Sequence, residues 1–322
     1  MLSGITVAIA VTVGLPLAIW AYLRVSESVA RVAGRSRKAS NRVRALLWLL
    51  PGLVLAGVVL IYPLLSTLWS SFQDSSGFGL GNYIAIFTDS SQIKSVVNSL
   101  IWVAIVPVVV LILGLVFSVL SDRVKYQKIA RMCIIAPTAI SMTAATIVWA
   151  SVYRFDSAGQ TQTGLLNAIW TSITGAAPVA WTLQPPFNNA ALMFIGVWAW
   201  LGYACLLLTS AVKAIPEEVV EAARIDGVSE WQLFRHITFP QIVPTMGIVV
   251  TVLVVWALKV FDIVYVLTQG NYGTSVLAMD IYNQLFVNQD LGKGSALAIV
   301  LLLIALPIIW FNVRNVRKDV GA

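Results

Sequence analysis

Seven stretches of the chain are predominantly apolar: Ile5–Leu23, Leu46–Leu68, Leu100–Leu120, Met132–Val152, Ala190–Val212, Ile242–Val266 and Ser295–Val313. Each carries at most a few polar groups. A helix needs roughly 20 such residues to cross about 30 Å of hydrocarbon. Lipid offers no partner to a free backbone amide, so apolar runs of this length are expected as helices. Pro51, Pro63, Pro107, Pro137, Pro244 and Pro307 lie in or beside the runs. Neighbouring helices can re-satisfy the carbonyls a proline frees, so the prolines do not veto a spanning assignment. The pattern predicts an all-α polytopic membrane protein of seven spans.

Composition agrees. Hydrophobic residues make up 59% of the 322 positions and charged residues 11%, against about 45–50% and about 25% in soluble domains. So little surface charge would not keep a soluble particle dissolved.

The net charge of +7 could suggest nucleic acid, but its placement points to topology instead. Arg24, Arg31, Arg35, Arg37, Lys38, Arg42 and Arg44 follow the first run, Arg123, Lys125, Lys128 and Arg131 follow the third, and Arg314, Arg317 and Lys318 end the chain. The alternate loops hold Lys94, Arg154 and Lys293, one apiece. Positive charge collects on the inner side of a membrane, so residues 24–45, 122–131, 213–241 and 314–322 are expected in the cytoplasm. The Arg24–Arg44 cluster can equally touch anionic lipid. No partner role for nucleic acid is expected.

The first run lacks the preceding positive charges of a secretion signal, and its basic residues follow it. It is expected as a retained anchor with the N-terminus outside, and residues 1–45 as anchor plus basic linker. Residues 46–322 then form a six-helix unit that starts and ends in the cytoplasm. Cys133 and Cys205 both fall within spans, and no disulfide framework is implied.

The inner loop 213–241 is not dominated by basic charge. Pro216 can occupy a first helical position, Glu217 and Glu218 complement the positive end of a helix dipole, and Gly227 can end the helix in a left-handed cap. Ser229 and Gln232 form a capping-box pair for a second helix that is not expected to run through Pro240. Ala222 and Ala223 would let another backbone approach closely, flanked by Glu221, Arg224 and Asp226 for pairing across an interface. By residue type alone, the loop fits an ordinary amphipathic connection equally well.

The run Glu221-Ala222-Ala223-Arg224-Ile225-Asp226-Gly227, followed by Phe239-Pro240, resembles the EAA loop of binding-protein-dependent, ATP-driven importer permeases. Phe239 stands where that pattern usually has Leu. Gly81-Asn82-Tyr83 through Asn98-Ser99-Leu100, and Phe261 through Thr268, are similar to segments of the carbohydrate branch, which covers the maltose, glycerol-phosphate and α-glucoside permeases. Leu258-Lys259-Val260-Phe261-Asp262 and Thr268-Gln269-Gly270-Asn271-Tyr272-Gly273, in place of a T-x-G-G-P run, look most like the α-glucoside subgroup.

The resemblance implies a six-helix permease core in the bacterial inner membrane, here with one extra N-terminal helix. It implies import of a sugar, an α-glucoside or related oligosaccharide. It implies a homologous second permease as heterodimer partner, two copies of a cytoplasmic ATPase that bind the ATP and Mg, and an external sugar-binding protein. Glu221, Ala222, Ala223, Arg224, Asp226, Gly227 and Pro240 are the implied ATPase-docking residues. No cofactor is expected in this subunit, and it is not expected to be an enzyme: Leu291–Ser295 is not a Walker sequence, and lone His236 lacks partners for a metal.

Lys259 and Asp262 are opposite charges three apart within one run, so a continuous helix would place them on one face, where they can neutralise each other. Ionisable groups in a bilayer are functional candidates, though a lysine near the interface can also snorkel. Trp149, Tyr153, Trp198, Trp200, Tyr203, Trp256 and Tyr265 are further substrate-path candidates, because a sugar's C–H face suits an aromatic platform; the same residues suit an interfacial belt. Tyr282 and Asn283 are candidates for meeting the binding protein. A secondary transporter, or a structural membrane subunit, remains the rival class.

Overall fold

The computed structural model describes residues 37–74, 77–120 and 126–320, together with Trp20, Tyr22, 24–26, 28 and 29. The expected first span Ile5–Leu23 lies outside the described residues except for Trp20 and Tyr22, as do Arg31, Arg35, Arg123 and Lys125. The chain falls into two units, one up to Trp69 and one from Ser70.

Helix α1 (Arg37–Ala56) passes through a π turn (Gly57–Ile61) into α2 (Tyr62–Ser71). A short antiparallel ladder, β1 (Gln73–Asp74) with β2 (Gly77–Phe78), leads to α3 (Gly81–Thr88) and α4 (Ser90–Leu120). Then come α5 (Gln127–Ile135), α6 (Met142–Val152), α7 (Leu165–Thr174) and α8 (Phe187–Lys213). The remaining helices are α9 (Glu217–Ile225), α10 (Glu230–Leu233), α11 (Phe239–Leu258), α12 (Asp262–Leu267), α13 (Leu277–Tyr282) and α14 (Leu291–Val320).

Among the described residues, Ala45–Ser71, Ser90–Leu120, Phe187–Lys213 and Glu230–Leu258 are long and apolar enough to cross a membrane. A bent pair, Gln127–Ala139 with Met142–Val152, makes a fifth if taken together. The expected straight span Met132–Val152 is therefore corrected to two helices meeting at 107°. The cause is local. Pro137 sits in a 3-10 turn (Ala136–Ala139), Ile140 is extended, and Ser141 restarts the helix by accepting Ala144 N–H on its hydroxyl at 3.3 Å. The expected last span, Ser295–Val313, falls within α14, whose stretch Leu291–Pro307 is apolar.

Helix α8 is the centre of the second unit, packed on α4, α11 and the α5–α6 corner. Its Leu192 and Ile195 are fully buried with Trp102, Val106 and Val110 of α4 and Val249 and Leu253 of α11. Gly202 makes one of these contacts possible. A Cβ there would lie 2.5 Å from the Ile134 carbonyl oxygen and 2.8 Å from Ile135 Cα. Small residues let helices in membranes approach closely, where dispersion contacts replace a hydrophobic driving force.

Candidate functional site

Loop 213–241 has the local structure its residues dictate, with two corrections. Pro216 is the N-cap of α9 rather than its first helical residue, and Glu217 and Glu218 occupy the first turn. Gly227 is left-handed, with φ +77°, and lets Val228 N–H reach back to the Ala223 carbonyl at 3.1 Å. Ser229 and Gln232 form the capping box. The second helix does not stop at Pro240, however. A π turn (Phe234–Thr238) joins α10 to α11 in one rod, Glu230–Leu258. Phe239 N–H bonds five residues back to the Phe234 carbonyl, and the widened turn makes room for the proline ring that follows. Pro63 stands in the same register after the π turn Gly57–Ile61.

Arg224 Nε lies 3.3 Å from Glu230 Oε1, tying α9 to α10. Of the two alanines Ala222 is exposed and Ala223 is buried. Ile225 is 86% exposed and Trp231 66% exposed, an unusual display for large apolar side chains on a loop. A cavity of about 890 Å³ separates the loop from the ends of α4 and α8, lined by Val119, Lys213, Glu217, Arg224, Glu230 and Phe234 among others.

The substrate-path candidates fall into three aromatic groups. Trp149 contacts Tyr153, Phe194 and Trp198, with ring centroids 5.2, 5.3 and 5.6 Å apart. Trp200 contacts Tyr203 at 5.4 Å and Trp256 at 5.5 Å, and Trp102 completes that group. Tyr265 stacks on Phe261 at 5.1 Å and meets Tyr282 at 5.3 Å. Trp198 and Trp200, two apart on α8, face different groups, so the helix divides the candidates between two of its sides.

The expected Lys259–Asp262 pair does not form. Helix α11 ends at Leu258, and Lys259 and Phe261 leave helical geometry before Asp262 starts α12. With no continuous helix there is no shared face. Asp262 Oδ1 instead accepts the Thr143 hydroxyl at 2.9 Å, linking the break to α6.

The residues after α12 form a tight turn that sequence reasoning did not single out as a structural unit. Gln269 (φ 52°) and Tyr272 (φ 57°) are left-handed without being glycine, alongside Gly270 and Gly273. Such backbone is held only where surroundings over-determine it. Here Asn98 Nδ2 donates to the Gly273 and Ser275 carbonyls, both at 2.8 Å, and Asn188 Nδ2 to the Tyr272 carbonyl at 2.8 Å. Asp280 accepts the Ser275 hydroxyl at 2.5 Å and that of Ser95. Burial pushes the Asp280 carboxyl above its ordinary value, against the pull of both hydroxyls. The departure from the T-x-G-G-P run was the available signal.

A bundle of long apolar helices around α8, with a capped two-helix loop at one end and a clamped turn beyond the break at Lys259, is the architecture of a multi-pass permease. The family of binding-protein-dependent transport system inner membrane components matches residues 111–318, and the chain belongs to it. It is a permease subunit of the inner membrane, not an enzyme. The osmoprotective compounds uptake permease protein GgtC of Synechocystis sp. is 42% identical, over 85% of this chain and 99% of the relative. The alpha-glucoside transport system permease protein AglF of Rhizobium meliloti is 37% identical, over 90% and 87%. A bacterial alginate ABC transporter, solved with an alginate pentasaccharide-bound periplasmic protein, has the same fold: TM-score 0.75 and 21% identity, over 89% of this chain and 98% of that one.

Proposed function

We propose that residues 46–322 form the transmembrane domain of one permease in an importer for an α-glucoside or related oligosaccharide. A homologous second permease completes the path, two ATPase subunits hold ATP and Mg, and an external binding protein delivers the sugar. The C-terminus and loop 213–241 lie in the cytoplasm and the N-terminus outside. The observation that carries this reading is the loop itself. Gly227, the capping box and the Arg224–Glu230 pair hold Glu221, Ala222, Arg224, Ile225 and Asp226 on one rigid, exposed element. Because α10 runs into α11 as one continuous helix, movement of the loop can be carried along it to the break at Lys259.

At that break, Lys259, Asp262 and Tyr265 are proposed to face the path, and the Trp149 and Trp200 groups to supply aromatic platforms. The AglF relative supports an α-glucoside, whereas the name of GgtC supports osmoprotective compounds as a second substrate reading. The test is ATP hydrolysis by the assembled complex in vesicles. An α-glucoside with its binding protein should raise the rate and accumulate inside. Accumulation driven by an ion gradient without ATP would instead establish a secondary transporter.

A further inference from the structure

Helix α7 wears its polarity inside out. Asn167 is fully buried, whereas Leu165, Ile169 and Ile173 are 58%, 48% and 79% exposed. These three follow one another at four-residue spacing, so they form one stripe. Leu166 and Trp170 continue the apolar arc, and Leu166 packs on the core. A helix bathed in water shows the opposite arrangement, with its apolar face inward.

The polar groups of α7 are satisfied from within. The hydroxyls of Thr171, Ser172 and Thr174 donate to carbonyls four residues back, at 2.8, 2.6 and 2.6 Å. Trp170 Nε1 donates to the Ala177 carbonyl at 3.2 Å. Asn167 receives Val179 N–H and Trp181 Nε1 on its oxygen, both at 3.0 Å, and its amide nitrogen donates to the Arg154 and Val179 carbonyls. Charge is confined to the Arg154–Asp156 pair at 3.8 Å, beside the N-terminal end of α7, where Asp156 accepts the Thr163 hydroxyl. From Ser157 to Val212 the chain has no Asp, Glu, Lys, Arg or His. A face meant for a soluble protein would be expected to carry a polar, charged rim. Indoles with one apolar and one hydrogen-bonding end, as in the Trp170–Trp181 pair at 6.1 Å, suit the headgroup boundary.

We propose that α7 is an interfacial helix, sunk by its Leu165–Ile169–Ile173 stripe into the leaflet on the face opposite loop 213–241. That face follows from α8, whose Lys213 end meets the loop and whose Phe187 end lies beyond α7. Helix α7 packs back on α6, whose Ile147 and Val148 are 56% and 57% exposed, so the helix beside it also shows apolar side chains.

The test uses the assembled transporter in vesicles with Cys133→Ser as background. Ile173→Cys and, separately, Gln160→Cys are labelled with an environment-sensitive fluorophore. The label at 173 should emit to the blue of that at 160, be quenched by a nitroxide at headgroup depth, and resist aqueous iodide, with or without the binding protein. Ile169→Cys repeats the measurement should the first variant assemble poorly. Iodide quenching at 173 and 169 equal to that at 160 would overturn the proposal. So would shielding that arises only when the binding protein is added, which would make the stripe a protein-docking face.

Discussion

Asp280 is the side chain through which the turn after α12 is expected to respond to pH. Its carboxyl is raised above the ordinary 3.8 chiefly by burial; Ser275 and Ser95 pull it down, Asp89 pushes it up and Lys293 pulls it down. The folded chain therefore keeps this proton to a higher pH than the unfolded chain. The stability it confers is complete below about pH 3.8 and is lost as pH rises through the elevated folded value. Asp280→Asn should flatten that part of a profile of unfolding temperature against pH in detergent. A profile unchanged by the substitution would assign the slope to other groups. Asp262 carries a second prediction. Because it bonds to Thr143 rather than Lys259, a double-mutant cycle should find coupling of about 0.5–3 kcal/mol between Thr143→Val and Asp262→Asn, and near zero between Lys259→Ala and Asp262→Asn. Rescue of Asp262→Ala by Lys259→Ala would reverse this assignment.

Among the elements, α8 is the most constrained, and Gly202 measures that constraint. The atoms a Cβ would strike, the Ile134 carbonyl oxygen and Ile135 Cα, are backbone and cannot rotate away. Gly202→Ala should cost about 1–3 kcal/mol by overpacking and lower the unfolding temperature of the purified protein. Gly247→Ala on α11, with nothing within 4 Å of its Cβ, should not. Equal effects at both positions would mean that helix propensity, not close approach, decides. The helices themselves were legible from the apolar runs, since lipid leaves the backbone little alternative. Their interruptions were not. The Pro137 corner, the break after Leu258 and the passage through Pro240 depend on turn geometry that apolar periodicity does not record. The loop's caps were legible because Gly227, Ser229 and Gln232 act on neighbours in sequence. The clamp of Asn98 and Asn188 on residues 272–275 was not, because it joins positions more than 80 residues apart.

At the scale of the whole molecule, the continuous rod Glu230–Leu258 joins the capped loop at one end to the Lys259 break at the other. A continuous helix of this kind would turn movement of a docked ATPase into movement at the break. The central claim is that the loop docks that ATPase, and Gly227 gives the cleanest handle on it. An added Cβ meets nothing within 4 Å, so only the left-handed backbone opposes substitution. That conformation costs an ordinary residue about 1–2 kcal/mol, while Asn visits it routinely. The decisive measurement is co-purification of the ATPase with this permease, read beside sugar uptake. Gly227→Val and Glu221→Lys should insert normally and lose both, whereas Gly227→Asn should keep both. Normal uptake and co-purification in Gly227→Val and Glu221→Lys would contradict the account and leave residues 213–241 a connector.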